Sequence, residues 1–105
     1  MVERKSIILG IFADKQFKKS LLFHYELAGN IAFSEKLKNE TSSVLDLILD
    51  YNFIGVPIPK SNYRSMLVFH YSIVYEVLES EIFIVLFWDT RRNPKTLKVL
   101  LQELS

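Results

Sequence analysis

The sequence predicts an α+β domain in which helices pack against a mostly antiparallel sheet, and three observations carry that expectation. An apolar, β-rich run near the N-terminus leads into two stretches with helical periodicity. Three consecutive segments rich in aromatic and β-branched residues then occupy Tyr63 to Trp88. Finally, a proline-initiated amphipathic segment closes the chain. The order is β-α-α-β-β-β-α.

Ile7, Ile8, Leu9, Ile11 and Phe12 form the first strand, and Asp14 stands where an N-cap is expected before a helix over 14–28. Phe17, Leu21, Tyr25 and Ala28 recur at helical spacing, and Gly29-Asn30 supplies a glycine-type stop. Phe33, Leu37, Val44, Ile48 and Tyr51 define the apolar stripe of a second, longer helix. Thr41-Ser42-Ser43 compete for backbone hydrogen bonds in its middle, which predicts a bend or break there. Pro57 and Pro59 exclude helix, so Gly55–Pro59 reads as a loop crossing to the sheet. Strands are expected at Tyr63–Phe69, Tyr71–Leu78 and Ile82–Trp88, the last two joined as a hairpin through Glu79-Ser80-Glu81. In the middle strand Tyr71, Ile73, Tyr75 and Val77 share one face; Ile82–Trp88 is apolar on both faces, which predicts an interior position. Asn93 and Pro94 read as N-cap and first turn of a third helix, with Leu97, Leu100, Leu101 and Leu104 as its stripe.

With 105 residues, half of them hydrophobic, and only three Pro and three Gly, the chain is expected to fold as one domain over 1–105. Cysteine is absent, so disulfides, thiolate metal sites and a cysteine nucleophile are excluded. The first apolar run is too short for a secretory core, and nowhere do eighteen apolar residues run together, so a cytoplasmic protein without a membrane span is expected. Thirteen basic against twelve acidic residues leave a net charge of +1, so any basic site must be local. One such cluster exists: Arg91, Arg92, Lys95 and Lys98, with no acid between Asp89 and Glu103. There is no Gly-rich phosphate loop, no Ser/His/Asp spacing and no paired-carboxylate motif. His24 and His70 are isolated in sequence and read as structural or solvent-facing, so neither a metal nor another cofactor is expected.

Several strings resemble the RelE/ParE superfamily of toxins over about Ile7 to Leu97. They are Ala13 after the first strand, Ile54-Gly55-Val56-Pro57, Tyr63-Arg64, Tyr71-Ser72-Ile73-Val74-Tyr75, and Asp89-Thr90-Arg91-Arg92-Asn93-Pro94. The resemblance implies the toxin of a bacterial type II toxin-antitoxin system, of the kind associated with plasmid stabilization, covered by a cognate antitoxin that wraps an extended or helical segment around it. RelE-like members cut messenger RNA on the ribosome, whereas ParE-like members poison DNA gyrase. The RelE-like pattern carries Arg where this chain has Ser72, and a late Tyr or His, of which none follows Tyr75. A ParE-like binding poison is therefore favoured. The alternatives are an endoribonuclease, in which Lys60 or Arg64 replaces the missing cation, and a degenerate member that only binds antitoxin.

The candidate catalytic residues on that alternative are Arg64 and Arg91, and the candidate target-binding set is Lys60, Arg64, Arg91, Arg92 and Lys95. Each has a plainer reading. Arg64 at a strand start reads equally as a solvated or carboxylate-paired residue, and Arg91 and Arg92 as local partners of Asp89. Tyr71, Tyr75 and Trp88 are read as core before base-stacking platforms.

Overall fold

The computed structural model describes residues 4–29, 31–92 and 94–104. Strand β1, Ser6–Leu9, turns directly into helix α1, Ile11–Ala28. The strand therefore stops short of Phe12, and the N-cap is Gly10 where the sequence predicted Asp14. The reason is local. Gly10 N–H donates to the Ile84 carbonyl at 3.0 Å, ending the β1 ladder, and the Asp14 N–H reaches back to the Gly10 carbonyl at 2.9 Å, starting the helix. A Cβ at Gly10 would sit 2.8 Å from that Ile84 oxygen, so only glycine fits the turn. Asp14 falls in the first helical turn, favourable for the helix dipole, and pairs with Lys18 at 2.9 Å. Helix α1 ends as the glycine predicts: Gly29 has φ 70° and its N–H donates to the Tyr25 carbonyl.

Helix α2, Ala32–Asp50, runs unbroken through Thr41-Ser42-Ser43. The expected break is absent: the Ser43 hydroxyl donates back to the Asn39 carbonyl at 3.1 Å, leaving the backbone ladder intact, and Thr41 is buried. The predicted loop at Gly55–Pro59 contains a short strand, β2, Val56–Pro57, paired with Ser65 and Arg64. This adds a fifth strand to the sheet. Proline is tolerated there because β2 is an edge strand.

Strands β3, Tyr63–Val68, β4, Tyr71–Val77, and β5, Glu81–Asp89, follow as expected. The sheet order is β1-β5-β4-β3-β2, with β1 parallel to β5 and the other pairs antiparallel, so β5 is interior as its two apolar faces predict. Helix α3 spans Pro94–Leu104; the expected cap at Asn93 lies outside the described residues.

Two cores sit on the two sheet faces. Ile73, Tyr75, Ile82, Ile84 and Phe87 meet α1 and α2 through Ala13, Leu37 and Ile48. Tyr63, Val74, Val85 and Leu86 meet Leu97 and Leu101 of α3 on the other face. Val85 and Leu86 point to the same face because the β4–β5 register shifts at Val74/Tyr75, a bulge that returns Phe87 to the first core. Fully burying a residue such as Leu37 or Ile48 stabilises by roughly 1.5–3 kcal/mol, and both are fully enclosed. Two predicted stripe residues are not core: Tyr25 and Tyr51 are exposed, the first displaced by His24, which is buried on the inner side of α1. Tyr71, Tyr75 and Trp88 are all buried. Among the described residues no helix is long and apolar enough to cross a membrane.

Candidate functional site

Because β1 ends opposite Ile84 while β5 continues to Asp89, the second half of β5 has no strand on that side. Helix α1 takes its place. The Phe87 N–H donates to Gln16 Oε1 at 3.0 Å, satisfying an amide that a longer β1 would have paired. The helix does not fill the space completely. A cleft of about 400 Å³ remains, lined by Phe12, Lys15, Gln16, Lys19, Ser20 and Phe23 from one stripe of α1 and by Tyr71, Phe87, Asp89, Arg91 and Arg92.

The floor is aromatic and rigid. Tyr71 and Phe87 stack with ring centroids 4.7 Å apart, and Phe17 meets Phe87 edge-on. The Tyr71 hydroxyl and His24 Nε2 are hydrogen-bonded at 2.9 Å. Burial lowers the His24 pKa below its usual 6.5, and the nearby His70 and Arg91 lower it further, so the ring is held neutral. His24 and His70, distant in sequence, come within 5.7 Å between ring centroids.

The rim is cationic. Arg91 grips Asp89 in a two-pronged pair, Nε to Oδ1 at 3.0 Å and Nη2 to Oδ2 at 2.9 Å, and its own N–H adds a third bond to Oδ1. The guanidinium hydrogen bonds hold the Asp89 carboxyl down at about 2, and the same pair raises the Arg91 pKa. The Arg92 guanidinium lies 5.6 Å from the Trp88 ring centroid. Lys15 and Lys19 are exposed and make no ion pair among the described residues. One carboxylate thus faces four cations.

The sequence-derived site residues divide between the two ends of the sheet. Arg91 and Arg92 join this cleft. Arg64 does not: it pairs across the sheet with Tyr75, whereas Asp89 pairs with Tyr71, four residues away along β4, or about 13 Å at ~3.3 Å per residue. Its guanidinium donates to the carbonyls of Phe53 and Gly55 at 3.0 and 2.9 Å and stacks 5.0 Å from the Phe53 ring, which ties down the loop entering β2. Lys60 is exposed in the turn before β3 with φ 62°, and Lys95 is exposed in the first turn of α3.

Ser72 sits on the opposite sheet face from Arg64, buried between Leu67 and Trp88 of the flanking strands. Arg64 therefore cannot supply a cation in place of the one absent at Ser72. Sequence reading missed Lys15, Lys19 and Tyr71 as cleft residues, and His24 as the buried partner of Tyr71. The spacing of Phe12, Lys15, Lys19 and Phe23 along one helical stripe was the available signal.

No family model matches the sequence, and no curated protein does. Among solved structures, the fold is similar to that of a chain in the chromosomal ParDE TA system from P. aeruginosa, with a TM-score of 0.69 and 14% sequence identity. The likeness covers 82% of this chain and 96% of that one. At that identity it establishes the fold.

Proposed function

We propose that this chain is the toxin of a type II toxin-antitoxin system, a single domain acting in the bacterial cytoplasm, neutralised by a cognate antitoxin and poisoning DNA gyrase by binding. The fold shared with a chain of a ParDE system over nearly that chain's whole length carries the toxin reading. The sequence strings that resemble RelE/ParE toxins support it independently.

The distribution of charge favours binding over RNA cleavage. In-line attack on a phosphodiester needs cations converging on one phosphate together with a proton donor and acceptor. At the positions that the resemblance assigns to cleavage, Ser72 leaves its sheet face uncharged and Arg64 is spent on two backbone carbonyls of the other face. Arg92, which lies over Trp88 and has no carboxylate partner among the described residues, and Arg91 form an exposed edge suited to an acidic protein surface.

The test is induction of the chain alone and together with the product of the adjacent small reading frame. Growth arrest that co-expression relieves, with the two proteins co-purifying, is the expected result. Harmless high-level expression without a co-purifying partner overturns the toxin reading. Co-purification without arrest indicates the degenerate, antitoxin-binding form.

A further inference from the structure

We propose that the cleft between α1 and the end of β5 binds a free nucleoside polyphosphate, an assignment that does not depend on the toxin reading. The α1 stripe presents Phe12, Lys15, Lys19 and Phe23 in that order along the cleft. The two rings stand eleven residues apart, about 16 Å along a helix rising 1.5 Å per residue. Between them lie the two lysines, and across from them Arg91 and Arg92. The sequence of surfaces is aromatic, cationic, cationic, aromatic. An extended nucleoside triphosphate carries a flat base at one end and a run of phosphates beside it, so one ring can take the base while the lysines take the phosphates.

Charge density distinguishes this ligand from a nucleic-acid strand. Four cations and one carboxylate line the cleft of about 400 Å³, an excess of three positive charges along its walls. A polyphosphate concentrates three or four negative charges in that space, whereas a single strand offers one per nucleotide. The net charge of the whole chain is only +1, so the concentration at the cleft is local and offset elsewhere. Phe12 and Phe23 are about half exposed, 45% and 50%, which leaves a ring face open to a base at either end of the stripe. Beneath them the Tyr71 hydroxyl, fixed by His24, adds a buried polar group to an otherwise apolar floor.

The test uses the full chain and isothermal titration with ATP, inorganic tripolyphosphate, a ten-residue oligoadenylate and polyglutamate. Saturable ATP binding is expected, tighter than for tripolyphosphate. Lys15→Gln with Lys19→Gln should weaken it at least about tenfold, since two charge-assisted contacts are lost, while Lys38→Gln on α2 leaves it unchanged. Both cleft lysines are exposed, and far-UV circular dichroism checks that α1 is retained. Phe12→Ala and Phe23→Ala identify the base-bearing end: one of them should erase the preference for ATP over tripolyphosphate. Absence of saturable ATP binding at millimolar concentration overturns the assignment. So does equal binding of tripolyphosphate, displacement of ATP by polyglutamate, tighter binding of the oligoadenylate, or indifference to the lysine substitutions.

Discussion

Replacing Tyr75 by Phe removes one oxygen atom from the middle of the larger core and should cost about 2 kcal/mol of stability. Tyr75 is fully enclosed, and its hydroxyl works in two directions: it accepts from the Gly55 N–H at 2.9 Å and donates to the Asn52 carbonyl at 2.9 Å. Burial raises the phenol pKa, so the group stays protonated and able to donate. Phenylalanine keeps the ring and its packing but leaves a buried backbone N–H and a carbonyl without that partner. An orphaned buried polar group costs roughly 1–3 kcal/mol. A domain of this size loses roughly 4–8 °C of Tm per kcal/mol, so a fall of about 10 °C is expected.

Thermal unfolding by circular dichroism measures the fall, and amide exchange at Gly55 should accelerate in the same variant. The hydroxyl reaches the Gly55 backbone only because no side chain intervenes: a Cβ there would lie 2.6 Å from the Tyr75 oxygen. A Tm within about 2 °C of the parent, the effect of roughly 0.5 kcal/mol or less, with unchanged exchange at Gly55, would refute the claim that this hydroxyl fastens the α2–β2 connection.

Arg91→Ala combined with Arg92→Ala should abolish toxicity while leaving thermal unfolding essentially unchanged, as expected for exposed side chains; a fully toxic double variant would show the basic edge to be only solvated. Asp89→Asn should cost about 1 kcal/mol at neutral pH, after allowance for solvent screening of the exposed Arg91. Because the folded pKa of Asp89 is depressed from 3.8 to about 2, that difference from the parent should persist above pH 4 and vanish as pH falls towards 2 in denaturant titrations. His24 has a lowered folded pKa, so the unfolded chain takes up its proton first: this contribution is complete above pH 6.5 and erodes below it. His24→Gln should flatten that slope, and a His24 ring that titrates at or above 6.5 by NMR would contradict the assignment.

The elements were legible in sequence where periodicity and punctuation agreed, as in Gly29 ending α1 and the alternation of Tyr71, Ile73, Tyr75 and Val77 on β4. They were less legible where a distant contact decided the outcome. The start of α1 depends on Gly10 meeting the Ile84 carbonyl, and β2 exists only because β3 offers Arg64 and Ser65 as partners. The bulge that places Val85 and Leu86 on one face has no local signature in an all-apolar strand. At the site, Arg91 and Arg92 were found by charge clustering together with the family-like string from Asp89 to Pro94. Spacing puts Lys15 and Lys19 on one stripe of α1, but they share a surface with Tyr71 only when α1 lies along the β5 edge that β1 leaves open, a juxtaposition set by the tertiary fold. Arg64 shows the converse: its residue type suggested a phosphate ligand, and its carbonyl partners show it fastening a loop.

The central claim, a toxin that binds and does not cut, is tested most directly by two assays on one preparation: gyrase supercoiling and primer extension on translating ribosomes. Inhibited supercoiling that the Arg91→Ala, Arg92→Ala variant fails to produce is expected, with no codon-positioned cleavage, because removing one transition-state donor costs roughly 100- to 1,000-fold in rate and Ser72 lacks it. Codon-positioned cleavage that disappears in Arg64→Ala, with supercoiling untouched, would contradict it.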